Sequence, residues 1–328
     1  MQNKNATKEI TRILAFRNDR FGEFLLNIPA FRALKEKYPQ AKLTLVVNPY
    51  VCELAGHIDL IDEIISWEDR RHKFSEIINF SRQLKKKEFE LCIIFNPSKE
   101  SNILIFLAGI LRRVGYARKW GFLLTDKIKD KKYLGDKHEV EYNLELVKLV
   151  GATTDDKILS LSIDNAIINK LWLDFGIGSS NNLVALHPWT SDTIKQWPIE
   201  NFRNLAQRLV KELNKKVIVI GGKEELNKSV AYFDNLGANI TNLTGRTTLI
   251  QLAALLKKCG LLISGDSGPV HLACAVGTPV VAIFRNDIPG KSAKRWGPWG
   301  ERNSVLEKHN LSGITVDEAL DKAKETLR

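Results

Sequence analysis

Short apolar runs rich in β-branched residues recur along the chain, separated by stretches in which apolar positions return every three or four residues. The first pattern reads as buried strands and the second as helices packed on a sheet. In the N-terminal half, strands are expected at Arg12–Arg17, Lys42–Val47, Phe89–Phe95 and Arg113–Tyr116. Helices are expected at Ile28–Tyr38 (begun near Glu23), Phe74–Lys87, Asn102–Leu111, His138–Val150 and Asn165–Phe175. The C-terminal half repeats the plan, with strands at Leu183–Leu186, Lys216–Ile220, Leu261–Ile263 and Val280–Phe284. Its helices fall at Glu200–Leu213, near Glu224–Leu236, and at Thr248–Lys258, Val270–Val276 and Thr315–Leu327. Such alternation implies an α/β protein made of two doubly wound parallel-sheet domains. The small, polar Gly176–Asn182 is the linker candidate, which sets the domains at 1–178 and 179–328 and leaves the terminal helix free to pack back on the first. Folds of this kind hold ligands at the carboxyl ends of their strands, here in a cleft between two domains.

Composition narrows the class. The 328 residues are 44% hydrophobic and 27% charged, which is ordinary for a soluble globular protein. No apolar stretch reaches membrane-span length, and Met1–Thr11 is polar rather than a signal peptide. Cys52, Cys92, Cys259 and Cys274 lie in or beside apolar runs with no CxxC spacing, so reduced thiols and a cytoplasmic location are expected. The net charge of +11 gathers at Lys85–Lys87, Arg112-Arg113, Arg118-Lys119 and Lys127–Lys132. No zinc-finger spacing, RNP-type motif or basic arm accompanies it, so nucleic acid is not the expected partner. An anionic membrane surface or a phosphorylated glycolipid fits the charge, and so does a plain solvated surface.

Four loops follow predicted strand ends and carry the candidate chemistry. Leu261–Phe284 reads strand, turn, helix, strand, and its turn Gly265-Asp266-Ser267-Gly268-Pro269 opens a helix. Free backbone N–H groups and the positive end of the helix dipole make that corner an anion site, with Asp266, Ser267 and His271 at its mouth. An ordinary corner capped by Asp266 or Ser267 is the bland alternative. In RNDRFGEFLLNIP, Glu23 is either a helix-starting acid or a general base, with Asp19 a second candidate base. In HPWTSDTIKQWP, Thr190 and Ser191 offer hydroxyls, and Lys195 offers a cation suited to a diphosphate. Trp189 and Trp197 read as packing residues. In GGKEE, two glycines allow close backbone approach, and a following carboxylate could bind a ribose diol or merely start a helix. The turn before Thr248 could set backbone groups against a base. There is no GxGxxG, P-loop, DxD, HExxH or GxSxG, so neither a dinucleotide fingerprint nor a metal site is expected.

Taken together, RNDRFGEFLLNIPAFRALKEKYPQA, then HPW with KQWPIENF, then GGKEE, then SGDSGPVHLACAVGTPVVAIF resembles the ADP-heptose:lipopolysaccharide heptosyltransferases. The likeness runs from Arg12 to the terminal helix. It implies the GT-B fold, two Rossmann-like domains with the acceptor on the first and the nucleotide sugar mainly on the second. It also implies an inverting, metal-independent transfer with no cofactor besides the ADP-sugar substrate, at the cytoplasmic face of an inner membrane. By resemblance, Glu23 is the general base, standing where most members have Asp. Thr190, Ser191 and Lys195 become diphosphate contacts, Glu225 the ribose contact, and Thr247 the backbone neighbour of adenine. Asp266, Ser267, Gly268 and His271 become the donor turn. A nucleotide-sugar epimerase of the same architecture and a non-catalytic sugar-nucleotide-binding paralogue are the competing readings.

Overall fold

The computed structural model describes residues 9–176 and 182–328. Positions 177–181 of the expected linker Gly176–Asn182, with the 178/179 boundary, lie outside the described residues. The chain forms two compact units, each described in turn. Of the described residues, the first comprises 9–20, 27–131 and 140–157, and the second comprises 21–26, 132–139, 158–176 and 182–328.

The elements run in chain order as follows. They begin β1 (Arg12–Phe16), α1 (Phe21–Leu25), α2 (Ile28–Lys37), β2 (Lys42–Val47), α3 (Cys52–Ala55), β3 (Glu63–Ser66) and α4 (Phe74–Lys85). Next come β4 (Leu91–Ile94), α5 (Lys99–Leu107), β5 (Arg112–Tyr116), β6 (Asp126–Ile128), α6 (Glu139–Lys148) and α7 (Asn165–Phe175). Then come β7 (Leu183–His187), α8 (Ile199–Leu213), β8 (Lys216–Val219), α9 (Leu226–Phe233), β9 (Ile240–Asn242) and α10 (Leu249–Lys258). The chain ends with β10 (Leu261–Gly265), α11 (Gly268–Ala275), β11 (Val280–Arg285), α12 (Ala293–Trp296), β12 (Ser304–Lys308) and α13 (Val316–Thr326).

In the first unit six parallel strands take the order β3-β2-β1-β4-β5-β6. Central β1 pairs Ile13 with Leu43 on one side and with Leu91 on the other. Both faces are covered, so Leu14, Phe16, Val46, Cys92 and Ile94 sit in one core with Phe80 and Leu104 from the flanking helices. The helix expected to run from Glu23 to Tyr38 is instead two helices. Pro29 starts the second one at a position where the missing N–H is harmless.

The second unit has the order β12-β11-β10-β7-β8-β9, which is the same winding read from its own first strand β7. Helix α8 shows why these segments are helical. Phe202, Leu205, Ala206 and Leu209 form one buried stripe, Arg208 pairs with Glu212 one turn on, and Asn214 closes the helix in the left-handed region. Trp197, wholly buried, packs edge-on to Phe202 and donates its indole N–H to Ile314 O at 2.9 Å. The terminal helix α13, begun by a Thr315–Glu318 capping box, packs on α8 and on β10–β12 within this unit. Helix α7 likewise packs on α10, and Lys257 donates to Ile163 O just before it.

Interior strands matched their sequence pattern in both sheets. The four edge strands β3, β6, β9 and β12 did not, because none of their positions is fully buried and so none carries a continuous apolar run. All four cysteines are free thiols. Among the described residues, no helix is long and apolar enough to cross a membrane.

Candidate active site

Reversal of strand order places β7 beside β10, and in such sheets ligands bind beyond the carboxyl ends of that strand pair. Here those ends carry a connected set of polar side chains. Lys195 Nζ donates to Asp266 Oδ2 at 2.5 Å, and both side chains are mostly buried. The cation therefore is not a solvated loop lysine; it is held over the turn that opens α11. Residues Thr193–Lys195 form a single tight turn started by Asp192, whose side chain accepts from Ile194 N–H and from Lys291 Nζ. Arg285 at the end of β11 donates to Ile194 O at 3.2 Å and ties the same loop from the other side.

Beneath that turn lies a network whose anchor residue was given no role in the sequence reading. His187 Nδ1 stands 3.1 Å from both Ser264 Oγ and Ser267 Oγ, and the two hydroxyls are 2.8 Å apart. Ser264 donates to Gly265 O at 3.0 Å, and the tautomer of His187 sets which way the Ser267–Nδ1 hydrogen bond runs. Burial pushes the His187 pKa down to about 3, so the ring is neutral within this network. Because Ser267 is engaged there, its side chain does not cap α11. In the first turn Pro269 has no N–H and Val270 N–H donates to Ser267 O at 3.2 Å, so that corner offers an anion the Gly268 N–H and the positive end of the helix dipole.

The other expected residues are placed as follows. Thr190 donates its hydroxyl to Asp192 O at 2.9 Å and so shapes the loop, while Ser191 is exposed. Glu225 is half-buried at the start of α9 and forms no side-chain cap. Its Oε2 lies close over Gly222, where an added Cβ would come within 2.9 Å. Gly245 (φ +73°) bonds back to Gly221 O, bringing the Gly245–Thr248 turn beside the GGKEE loop, with Thr247 half-buried on it. His271 is not at the mouth. It is a core residue of α11 only 4% exposed, driven down to about 3 by burial first and by neighbouring His138 second.

Glu23 belongs to the same unit, through Phe21–Leu26. A Cβ on Gly22 would lie 2.9 Å from Gly268 Cα and 3.1 Å from His271 Cδ2. Two glycines thus meet backbone to backbone, and the half-buried Glu23 follows directly on the residue that touches the donor turn. Asp19 is elsewhere, in the first unit, paired with buried Arg17 at 2.7 Å. Burial raises its pKa, against the lowering pull of that guanidinium.

The first unit has its own cavity, of about 230 Å³, at the carboxyl ends of its strands. Asn18, Asp69, Arg70, Ser98, Lys99 and Glu100 supply its polar lining. Trp67, also at its wall, is sandwiched between His72 and Phe80 and donates to Glu100 Oε1.

The sequence pattern of glycosyltransferase family 9 (heptosyltransferase) matches residues 77–323. The chain belongs to that family. Lipopolysaccharide core heptosyltransferase OpsX of Haemophilus influenzae is 26% identical over 83% of this chain and 77% of its own. Among solved structures, ADP-heptose lipopolysaccharide heptosyltransferase II of Escherichia coli superposes with a TM-score of 0.84 at 20% identity, covering 97% of this chain and 98% of that one. Heptosyltransferase WaaC of Escherichia coli with ADP does so with a TM-score of 0.77 at 19% identity, covering 96% and 100%. The fold of this glycosyltransferase is therefore GT-B, with one Rossmann-like sheet in each unit.

Proposed function

We infer that this glycosyltransferase moves a heptose-type sugar from an ADP-linked donor to a lipopolysaccharide or related glycan acceptor. The observation that carries the donor half is the Lys195–Asp266 pair at the N-terminal turn of α11. A diphosphate there meets an ammonium and the positive end of a helix together. Family membership and the ADP in the WaaC structure support the nucleotide. Glu225 and the Thr247 turn, brought side by side by the Gly245–Gly221 bond, suit the ribose and the base.

Transfer proceeds as one in-line displacement. Glu23 takes the proton of an acceptor hydroxyl while its oxygen attacks the anomeric carbon. The bond from that carbon to the diphosphate oxygen breaks, ADP leaves from the opposite face, and the anomeric configuration inverts. Lys195 and the positive end of α11 stabilise the charge growing on ADP, so the step is assigned no metal and no cofactor. Loss of one preorganised contact of this kind costs about 3–4 kcal/mol, against about 10²–10⁴-fold from general base catalysis. At about 1.4 kcal/mol per tenfold the two effects are of similar size, so neither Lys195 nor Glu23 is dispensable.

The test is product analysis with ADP-heptose and heptose-deficient lipopolysaccharide, preceded by a binding panel of ADP, UDP, GDP and CMP. Sugar appearing on the acceptor as ADP is released supports the reading. Donor converted without acceptor would instead mark an epimerase, and ADP binding without any turnover would mark a non-catalytic paralogue. Glu23→Gln is expected to lose transfer and keep ADP affinity; normal turnover would remove that residue from the mechanism.

A further inference from the structure

Scattered exposed apolar side chains are normal on a protein surface, but a gathered set is not. Within the first unit, Phe106, Leu107, Leu111, Trp120 and Phe122 are all exposed, Leu111 by 82% and Phe122 by 71%. Arg113 holds them in one place. Its guanidinium stands 5.5 Å from the Phe106 ring centroid, Nε donates to Leu123 O at 2.8 Å, and Nη1 donates to Leu111 O at 3.3 Å. Asn102 on α5 donates to Lys119 O at 2.9 Å and pins the next turn, where the Trp120 and Phe122 rings lie 5.8 Å apart. Lys119 and Trp120 both take positive φ, 46° and 71°, a region bulky residues rarely adopt. The fold thus holds the indole out in water at some conformational cost.

The charge around this patch is one-sided. Positions 106–131 hold seven Lys or Arg against two acids. Both acids are already paired, Asp126 with Arg112 and Asp130 with Arg118. The ammonium groups of Lys119, Lys127, Lys129 and Lys131 are exposed and form no ion pair among the described residues. Lys132, the last of that basic run, is no part of the surface: it is buried against Glu139 in the second unit.

We propose that this patch docks the protein on an anionic phospholipid surface. Leu111, Trp120 and Phe122 enter the headgroup layer, and the lysines around them meet lipid phosphates. Aromatic and aliphatic tips ringed by long cationic side chains are the composition of an interfacial membrane contact. A second copy of the chain fits less well, since a two-fold contact would press the same cations against each other. Nucleic acid would use the lysines and leave Leu107 and Leu111 without purpose. The contact is peripheral and salt-sensitive, and it stands on residues separate from those of the donor site.

Co-sedimentation tests it, using vesicles of phosphatidylglycerol and phosphatidylcholine in equal parts beside phosphatidylcholine alone. The full chain should bind the mixed vesicles, bind the neutral ones weakly, and release as salt rises. Leu111→Ser with Phe122→Ser, and separately Lys119→Glu with Lys127→Glu, should each weaken binding by about tenfold or more. ADP titration into each variant reports folding of the donor unit and should not change. Failure of the full chain to sediment with anionic vesicles, or variants that bind them like the parent, would overturn the proposal. So would gel filtration showing a dimer that Phe122→Ser dissolves. Because ADP binding is read separately, neither result touches the transfer reading.

Discussion

Lys195 and Asp266 carry opposite charges 2.5 Å apart while both are mostly screened from water. A diphosphate arriving there gives Lys195 a second anion to serve, so the lysine, rather than the hydroxyls of its loop, should dominate nucleotide affinity. Lys195→Ala is expected to weaken ADP binding by about 10–100-fold, the equivalent of a charged hydrogen bond worth about 1.5–3 kcal/mol. Ser191→Ala, at an exposed position, should change it little; isothermal titration reads both. His187 and His271 give a pH prediction. Each is held down to about 3 in the folded state, chiefly by burial, against an ordinary value of 6.5. The unfolded chain therefore binds more protons below pH 6.5, and stability is lost as pH falls from there toward 3. The slope should approach about 1.4 kcal/mol per pH unit for each ring. Thermal unfolding between pH 7 and 5 checks it, and proton NMR should show both rings neutral throughout that range. The motif spacing made Lys195 legible in the sequence. Its partner was not, since Asp266 is 71 positions away, and neither was the burial of His271, whose neighbours Gly22, His138 and Glu139 come from distant segments.

At the level of elements, what brings Glu23 to the donor turn is the packing of α1 on α11, glycine against glycine. Gly22→Ala would push a methyl onto the Gly268 backbone, which cannot rotate aside as a side chain can. It should cost about 1–3 kcal/mol of stability, measured by denaturant unfolding, and lower transfer more than ADP affinity. The strap 132–139 is fixed to the same unit by charge. Glu139, 2% exposed, takes Lys132 on one oxygen at 2.6 Å and Arg295 on the other at 3.0 Å. Glu139→Gln would leave two largely buried cations short of an anion, and the expected loss is about 3–5 kcal/mol; a melting temperature unchanged from the parent would contradict this. Neither attachment could be read from periodicity, because both belong to short segments that join a unit remote in sequence. The edge strands were missed for a related reason. A strand such as β9, with its three residues all half-buried, carries too little apolar pattern to register, whereas β10, buried throughout, carries a great deal.

On the scale of the whole molecule, one winding is used twice, and each sheet offers ligands its own switch point. That doubling was legible, since both halves repeat the same alternation of buried strands and amphipathic helices. The donor corner was legible too, because strand, small-residue turn and helix start lie consecutively in Leu261–Ala275. The +11 charge was visible, but its arrangement around an apolar patch was not, as that needs the fold of Phe106–Lys131. The account rests most heavily on the diphosphate position. A crystal structure of the protein with ADP tests it directly: both phosphates should lie over Gly268 at the start of α11, within hydrogen-bond distance of Lys195 Nζ. Density for ADP at any other place, with the Lys195–Asp266 pair and the α11 N-terminus untouched, would contradict it.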